Sequence, residues 1–192
     1  MLVRVKSVFS QYLGQSRSIY VLFFGRIVTN MGAFIWPMLV LILTRKMGYT
    51  ITEAGLIIVI IGFIFLPATW IGGKLADRFN RKKLIVVLDV ISVVFFIGCA
   101  FVEPGIEMLI FFVIAGWFAN VEAPIFESLV TDVTKPNERE MAFSMIYLGK
   151  NLGVVIGTAV GGLLFTNYLN LAFALDGITT LLSTLMIVAF VV

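Results

Sequence analysis

The sequence contains no histidine and a single cysteine, Cys99, among its 192 residues. Histidine is the commonest general base, zinc ligand and near-neutral proton carrier, so any proton chemistry here falls to aspartate and glutamate. One cysteine allows no intramolecular disulfide and no metal-ligand cluster, and neither a metal nor another cofactor is expected. Charge is also scarce: 13% of residues are charged and 60% hydrophobic, where a soluble domain carries about 25% and about 45–50%. The basic residues stand beside apolar runs rather than in a long tract, which argues against a nucleic-acid partner. No Gly-x-x-x-x-Gly-Lys-[Ser/Thr] stretch is present to cradle a nucleotide phosphate, and no Ser-Lys or paired-Asp spacing would build a catalytic site. An enzyme is therefore not expected.

Apolar length is abundant instead. Mean hydropathy is +1.08, and apolar runs recur at about 20 residues, the helical length that crosses a ~30 Å hydrocarbon layer. The pattern predicts one all-α integral membrane domain over residues 1–192, a bundle of six transmembrane helices near 18–43, 53–75, 84–102, 107–130, 140–165 and 169–192. The segment Met1–Ser18 is polar and basic, and the run after it is too long and bulky for a cleaved signal, so it is read as an uncleaved first span. Thr50-Ile51-Thr52-Glu53 fits a capping box, and Asn137 three residues before Glu140 offers a second helix start. Pro37, Pro67 and Pro124 fall inside spans and predict kinks.

Lysine and arginine near span ends fix orientation. One side would hold Arg4, Lys6, Arg17, Lys74, Arg78, Arg81, Lys82, Lys83, Lys135 and Arg139, and the other only Arg45 and Lys46. That asymmetry places both termini in the cytoplasm, and the short loops point to a plasma membrane, with a bacterial inner membrane the best fit. A weak internal repeat supports an inverted three-plus-three arrangement: Gly72-Gly73 follows Glu53 by 19 residues and Gly161-Gly162 follows Ala142 by 19, in helices two and five of opposite direction.

Between the second and third helices the chain reads Gly73-Lys74-Leu75-Ala76-Asp77-Arg78-Phe79-Asn80-Arg81-Lys82-Lys83. This resembles the loop pattern Gly-x-x-x-Asp-Arg-x-Gly-Arg-[Arg/Lys]-[Arg/Lys] of the major facilitator superfamily, with Asn80 in place of a glycine. Asparagine best tolerates left-handed backbone angles, so the turn is expected to survive the change. The resemblance implies an N-terminal six-helix half of a transporter, in which Gly73, Asp77, Arg78 and Arg81 form a conformational latch between halves; the alternative is a purely topogenic cluster. In the fifth helix, Gly153, Gly157 and Gly161 lie four apart on one face, suited to close helix packing. They also resemble the glycine-rich pattern of the family's antiporters, although Thr158 stands where that pattern has proline.

Ionisable groups at the membrane centre cost roughly 2.5–3.5 kcal/mol each on insertion scales, so they mark a pair, a cavity or a pathway. Of Arg26, Asp89, Glu122, Glu127, Lys150 and Asp176, the pair Asp89 and Glu127 is read as structural, snorkelling or paired with Arg78 or Arg81, and Asp176 as peripheral or between halves. Arg26, Glu122 and Lys150 are deeper. In the resembled fold they could converge on one site, with Asn30, Tyr147 and Asn151 supplying hydrogen-bonding groups. Two readings remain: Glu122 as a proton-coupling carboxylate with Arg26 and Lys150 binding substrate, or a buried ion-pair network. The resemblance implies a secondary transporter, with proton-coupled efflux of small amphipathic compounds as the leading expectation. Uptake of a small organic anion, or a non-transporting half chain, are the alternatives. Its partners would be a small-molecule substrate, the lipid bilayer, and a second six-helix half or a homodimer mate.

Overall fold

The computed structural model describes residues 14–191; Arg4 and Lys6, counted above for orientation, lie outside them. Among the described residues the chain forms helices and turns without strands. The spans are Arg17–Lys46, Ile51–Arg78, Arg81–Cys99, Ile106–Asp132, Arg139–Leu164 and Leu169–Phe190. Five of these are long and apolar enough to cross a membrane when Pro136–Glu138 is joined to the fifth. Arg81–Cys99 opens on Arg81, Lys82 and Lys83 and carries Asp89, and these charges set it apart from the other five. Its 19 residues still reach about 28 Å at about 1.5 Å per residue.

The spans pack in a fixed order. The first touches the fifth and sixth, the fourth touches the second and third, and the third touches the sixth. Exchanging spans one, two and three for four, five and six reproduces the same set of neighbours. Equivalent spans run in opposite directions, because each stands three places after its counterpart with two helices between them, so the bundle is an inverted three-plus-three repeat. The repeated glycine pairs agree at the atomic level. A methyl group on Gly72 would overlap the Val121 carbonyl and crowd Pro124 of the fourth span, and one on Gly161 would sit 2.5 Å from the Phe34 ring of the first, whereas Gly73 and Gly162 have open space. The close approach expected at Gly73 therefore falls at Gly72, one residue earlier. In this chain Gly72→Ala is expected to lower thermal stability in detergent by about 1–3 kcal/mol through overpacking, and Gly73→Ala to leave it unchanged or raise it by up to about 1 kcal/mol through helix propensity.

Local chemistry sets the helix ends. Thr50 and Glu53 form the capping box, with Thr50 N–H donating to Glu53 Oε2 at 2.8 Å and Glu53 N–H to Thr50 Oγ1 at 3.2 Å. Asn137 caps nothing: Pro136–Glu138 is a 3-10 turn, and the fifth span follows at Arg139 without a side-chain cap. The left-handed turn expected at Asn80 is absent as well. Asn80 has φ −65° and caps the third span, its Oδ1 accepting from Lys83 N–H at 3.0 Å. The second span runs on to Arg78 rather than ending at Leu75, so Asp77 and Arg78 lie on its last turn.

Proline breaks one span. The first is interrupted after Gly32 and resumes at Ile35, because the Pro37 ring excludes the carbonyl of Ala33, four residues back. Pro67 and Pro124 are carried inside continuous helices, Ile51–Arg78 and Ile106–Asp132. Polar side chains in the apolar layer bond to their own helix: Thr158 to Val154, Ser128 to Pro124, Thr179 to Leu175 and Asn151 to Tyr147, at 2.7–3.0 Å. This spares the cost of an unsatisfied group in hydrocarbon. Apolar side chains such as Phe63, Leu66, Trp70 and Val155 face outward, as a lipid solvent allows.

Candidate functional site

Two contiguous clefts open at the middle of the bundle. The smaller, about 140 Å³, lies between the first, third, fourth and sixth spans, and Arg26, Asp89, Glu122 and Asp176 line it with Ser92, Thr180 and Ser183. The larger, about 560 Å³, is bounded by the first, fourth and fifth spans and holds Asn30, Glu127, Tyr147 and Lys150. Arg26, Thr29, Trp36 and Phe126 belong to both.

Arg26 and Glu122 stand at that junction. Arg26 Nη2 lies 3.6 Å from Glu122 Oε1, with the guanidinium 3.5 Å from the centroid of the Phe126 ring. Glu122 is buried and Arg26 is mostly covered. A cation over an aromatic face and beside a carboxylate is held from two directions, which lowers the cost of burying it. Sequence spacing explains the convergence: Glu122 and Phe126 are one turn apart on the fourth span and reach the same guanidinium. Asn30, one turn beyond Arg26, donates its amide to the Arg26 carbonyl at 2.8 Å.

Lys150 lines the larger cleft but does not join the pair, and neither it nor Glu127 has an ion-pair partner among the described residues. Tyr147 lines the same cleft, exposed. Asn151 does not line it. Its amide is spent on the Tyr147 carbonyl at 2.7 Å, and it faces away. The expected constellation thus divides into a buried pair and an open basic wall.

Asp89 and Asp176 depart from their expected places. Asp89 pairs with neither Arg78 nor Arg81; it accepts from Thr184 Oγ1 of the sixth span at 2.5 Å and faces the smaller cleft. Arg81 instead bonds Asp132 at 2.8 Å, joining the start of the third span to the end of the fourth. Asp176 is central rather than peripheral: it is 3% exposed, it lines the smaller cleft, and its Oδ2 has no hydrogen-bond partner among the described residues. Linear depth along one helix revealed nothing of this, because the third and sixth spans meet only in the folded bundle.

The basic end is consistently assembled. Arg81–Asp132, Lys82 Nζ on the Val191 carbonyl at 2.6 Å, Arg17 over the Phe190 ring and Ser16 on the Val133 carbonyl gather span ends at one face, while Lys46 on the Thr166 carbonyl marks the other. At the first face Asp77 and Arg78 are exposed, and neither has an ion-pair partner among the described residues. A carboxylate in the last turn of a helix sits at the negative end of its dipole, unfavourable by about 0.3–1 kcal/mol at an exposed site.

The fifth span packs on the first through glycine. Methyl groups on Gly153 and Gly157 would stand 2.5 Å from the Ile27 carbonyl oxygen and 2.7 Å from that of Met31, and Gly149 continues the stripe against Phe23 at 2.9 Å. The backbones are in contact there, with no room for a side chain.

The profile described as Major Facilitator Superfamily matches residues 22–192. The chain is 30% identical over 141 residues to the uncharacterised MFS-type transporter YqjV of Bacillus subtilis, covering 72% of this chain and 33% of that protein. It is 27% identical over 175 residues to BacE of Bacillus subtilis, a candidate bacilysin exporter, covering 86% and 42%. It is also 27% identical over 160 residues to a Na(+), Li(+), K(+)/H(+) antiporter of Planococcus maritimus, covering 80% and 37%. Among solved structures, a crystal structure of the peptide transporter POT in complex with sulfate superposes with TM-score 0.81 at 24% identity, over 92% of this chain and 38% of that one. At that identity the likeness is one of fold. The chain spans about two fifths or less of the length of these relatives.

Proposed function

Because the chain belongs to the Major Facilitator Superfamily, we propose that it forms the N-terminal six-span half of a secondary active transporter that works by alternating access. In this reading it acts with a second six-span bundle, either another segment or another copy, across the open side of the larger cleft. Both termini face the cytoplasm of a bacterial inner membrane. Glu122 is the coupling carboxylate: it holds Arg26 when ionised and releases it when protonated. Lys150, Asn30 and Tyr147 form the wall that meets substrate.

The observation that carries this reading is the buried Arg26–Glu122 pair at the junction of two clefts. A pair placed to lock helices would need no cavity beside it. A pair that must exchange a proton needs water access on one side and burial on the other, and a buried pair bordering an open cleft supports that role. Efflux of small amphipathic compounds is favoured within this class by an aromatic and apolar cleft wall containing Trp36, Phe126 and Phe143. The exporter and antiporter names of relatives point the same way. Asp77, lacking a partner at the basic end, serves as the latch by receiving a helix N-terminus of the second bundle in one conformation.

The test uses the chain co-expressed with a second six-span half in inverted membrane vesicles energised by a proton gradient. Accumulation of a lipophilic dye cation that collapses on adding a protonophore is expected. Accumulation that survives the protonophore would overturn proton coupling, and no movement of dye against its gradient would overturn the efflux reading.

A further inference from the structure

The smaller cleft holds more acid than the pair accounts for. Three carboxylates and one guanidinium line it. Glu122 is matched by Arg26, and Asp89 receives the Thr184 hydroxyl. Asp176 Oδ2 receives no hydrogen bond from any described residue, although Asp176 is only 3% exposed. An ionised carboxylate left without a donor in a low-dielectric interior costs several kcal/mol, and uptake of a proton removes that cost.

Its position gives such a proton mechanical leverage. The sixth span is clasped at this level from two sides. A methyl group on Gly32 of the first span would overlap Thr179 Oγ1 and lie 2.8 Å from Asp176 Cα, and one on Gly177 would lie 2.9 Å from Ile97 of the third span. Gly32 is also where the first span breaks before resuming at Ile35. The charged and titratable groups that share the cleft with Asp176 are Arg26 from the first span, Asp89 from the third and Glu122 from the fourth, with the Cys99 thiol of the third span nearby; among the described residues the fifth span contributes none.

We propose that Asp176 is a second proton-binding carboxyl, distinct from Glu122, seated against the break in the first span so that its protonation sets the angle between the two pieces of that span. The step is a simple protonation: a proton from water in the contiguous larger cleft adds to a carboxylate oxygen of Asp176 and returns to water by the same route. The inference rests on the reading of the chain as a proton-coupled half-transporter, and its test separates the two.

The first measurement is infrared spectroscopy of the purified chain in lipid nanodiscs as pH is stepped, with carbon-13 in the aspartate carboxyls. The expected result is a buried-carboxyl band that changes with pH, shifts with the aspartate label, survives Asp89→Asn and Glu122→Gln, and is lost in Asp176→Asn. If Asp176→Asn does not fold, a labelled band that persists in Asp89→Asn carries the same assignment, because these are the two aspartates lining the cleft. A band lost only in Glu122→Gln overturns the inference and leaves Glu122 as the coupling group; no pH-sensitive band overturns both. The second measurement places spin labels at Phe24→Cys and Val40→Cys, exposed positions on either side of the break, with Cys99→Ala. The label distance is expected to change over the same pH steps, and to stay fixed in Asp176→Asn. A distance that is insensitive to pH overturns the coupling to the break.

Discussion

Glu122→Gln is expected to reduce uphill transport by the assembled protein to the passive level while exchange down a gradient continues, because glutamine keeps the shape and a hydrogen-bond acceptor but cannot bind and release a proton. Protonophore-sensitive and protonophore-insensitive fluxes in vesicles separate the two activities. The same pair predicts a stability effect through its other member. Arg26→Ala leaves the Glu122 carboxylate without its counter-ion, and breaking a buried pair in this way typically costs about 3–5 kcal/mol. The double variant Arg26→Ala/Glu122→Gln should recover most of that loss, because no charge is then stranded. Thermal unfolding of the four proteins in one detergent gives the coupling energy directly. Equal destabilisation by the single and double variants would mean that the Arg26 guanidinium on the Phe126 ring, rather than its ion pair with Glu122, holds the site.

The second large effect lies in the glycine stripe. Gly153→Val or Gly157→Val is expected to separate the first and fifth spans and to abolish a folded monodisperse species by size-exclusion chromatography. The atoms that a side chain would meet are the main-chain carbonyls of Ile27, Asn30 and Met31 and the Cβ of Asn30. Overpacking usually costs about 1–3 kcal/mol, occasionally more, and the upper end applies where the obstacle is a helix backbone that cannot rotate aside. Gly162→Val is the control, since Gly162 has open space around it. The contrast also bears on the antiporter-like pattern of the fifth span. Thr158 at the place of its proline bonds the Val154 carbonyl at 2.9 Å, and the helix runs unbroken to Leu164. In this chain the stripe acts in helix packing, with no proline-induced break accompanying it.

The sequence alone was enough for the solvent, the number of spans, the basic end, the inverted repeat and the face carrying Gly153, Gly157 and Gly161, because each is a property of composition or of spacing along one helix. Hydrophobic length reports the bilayer directly, and four-residue spacing puts glycines in line whatever the rest of the chain does. Side-chain partnerships across helices were decided only by the tertiary structure. Depth along the chain groups Arg26, Glu122 and Lys150, yet Lys150 lines the larger cleft without joining the pair, and the Asn151 amide bonds back to its own helix. Asp89 reads as structural from its distance to the basic end and Asp176 as peripheral or between halves from being alone in its span; packing the third span on the sixth brings both into one cleft. Helix ends followed the same division. Thr50 and Glu53 are three residues apart and cap each other by local geometry, whereas the close approach of Gly32, at the Pro37 break, to Asp176 exists only in the packed bundle. Contacts within one turn are fixed by helical periodicity, and contacts between spans depend on rotation and register that no single helix encodes.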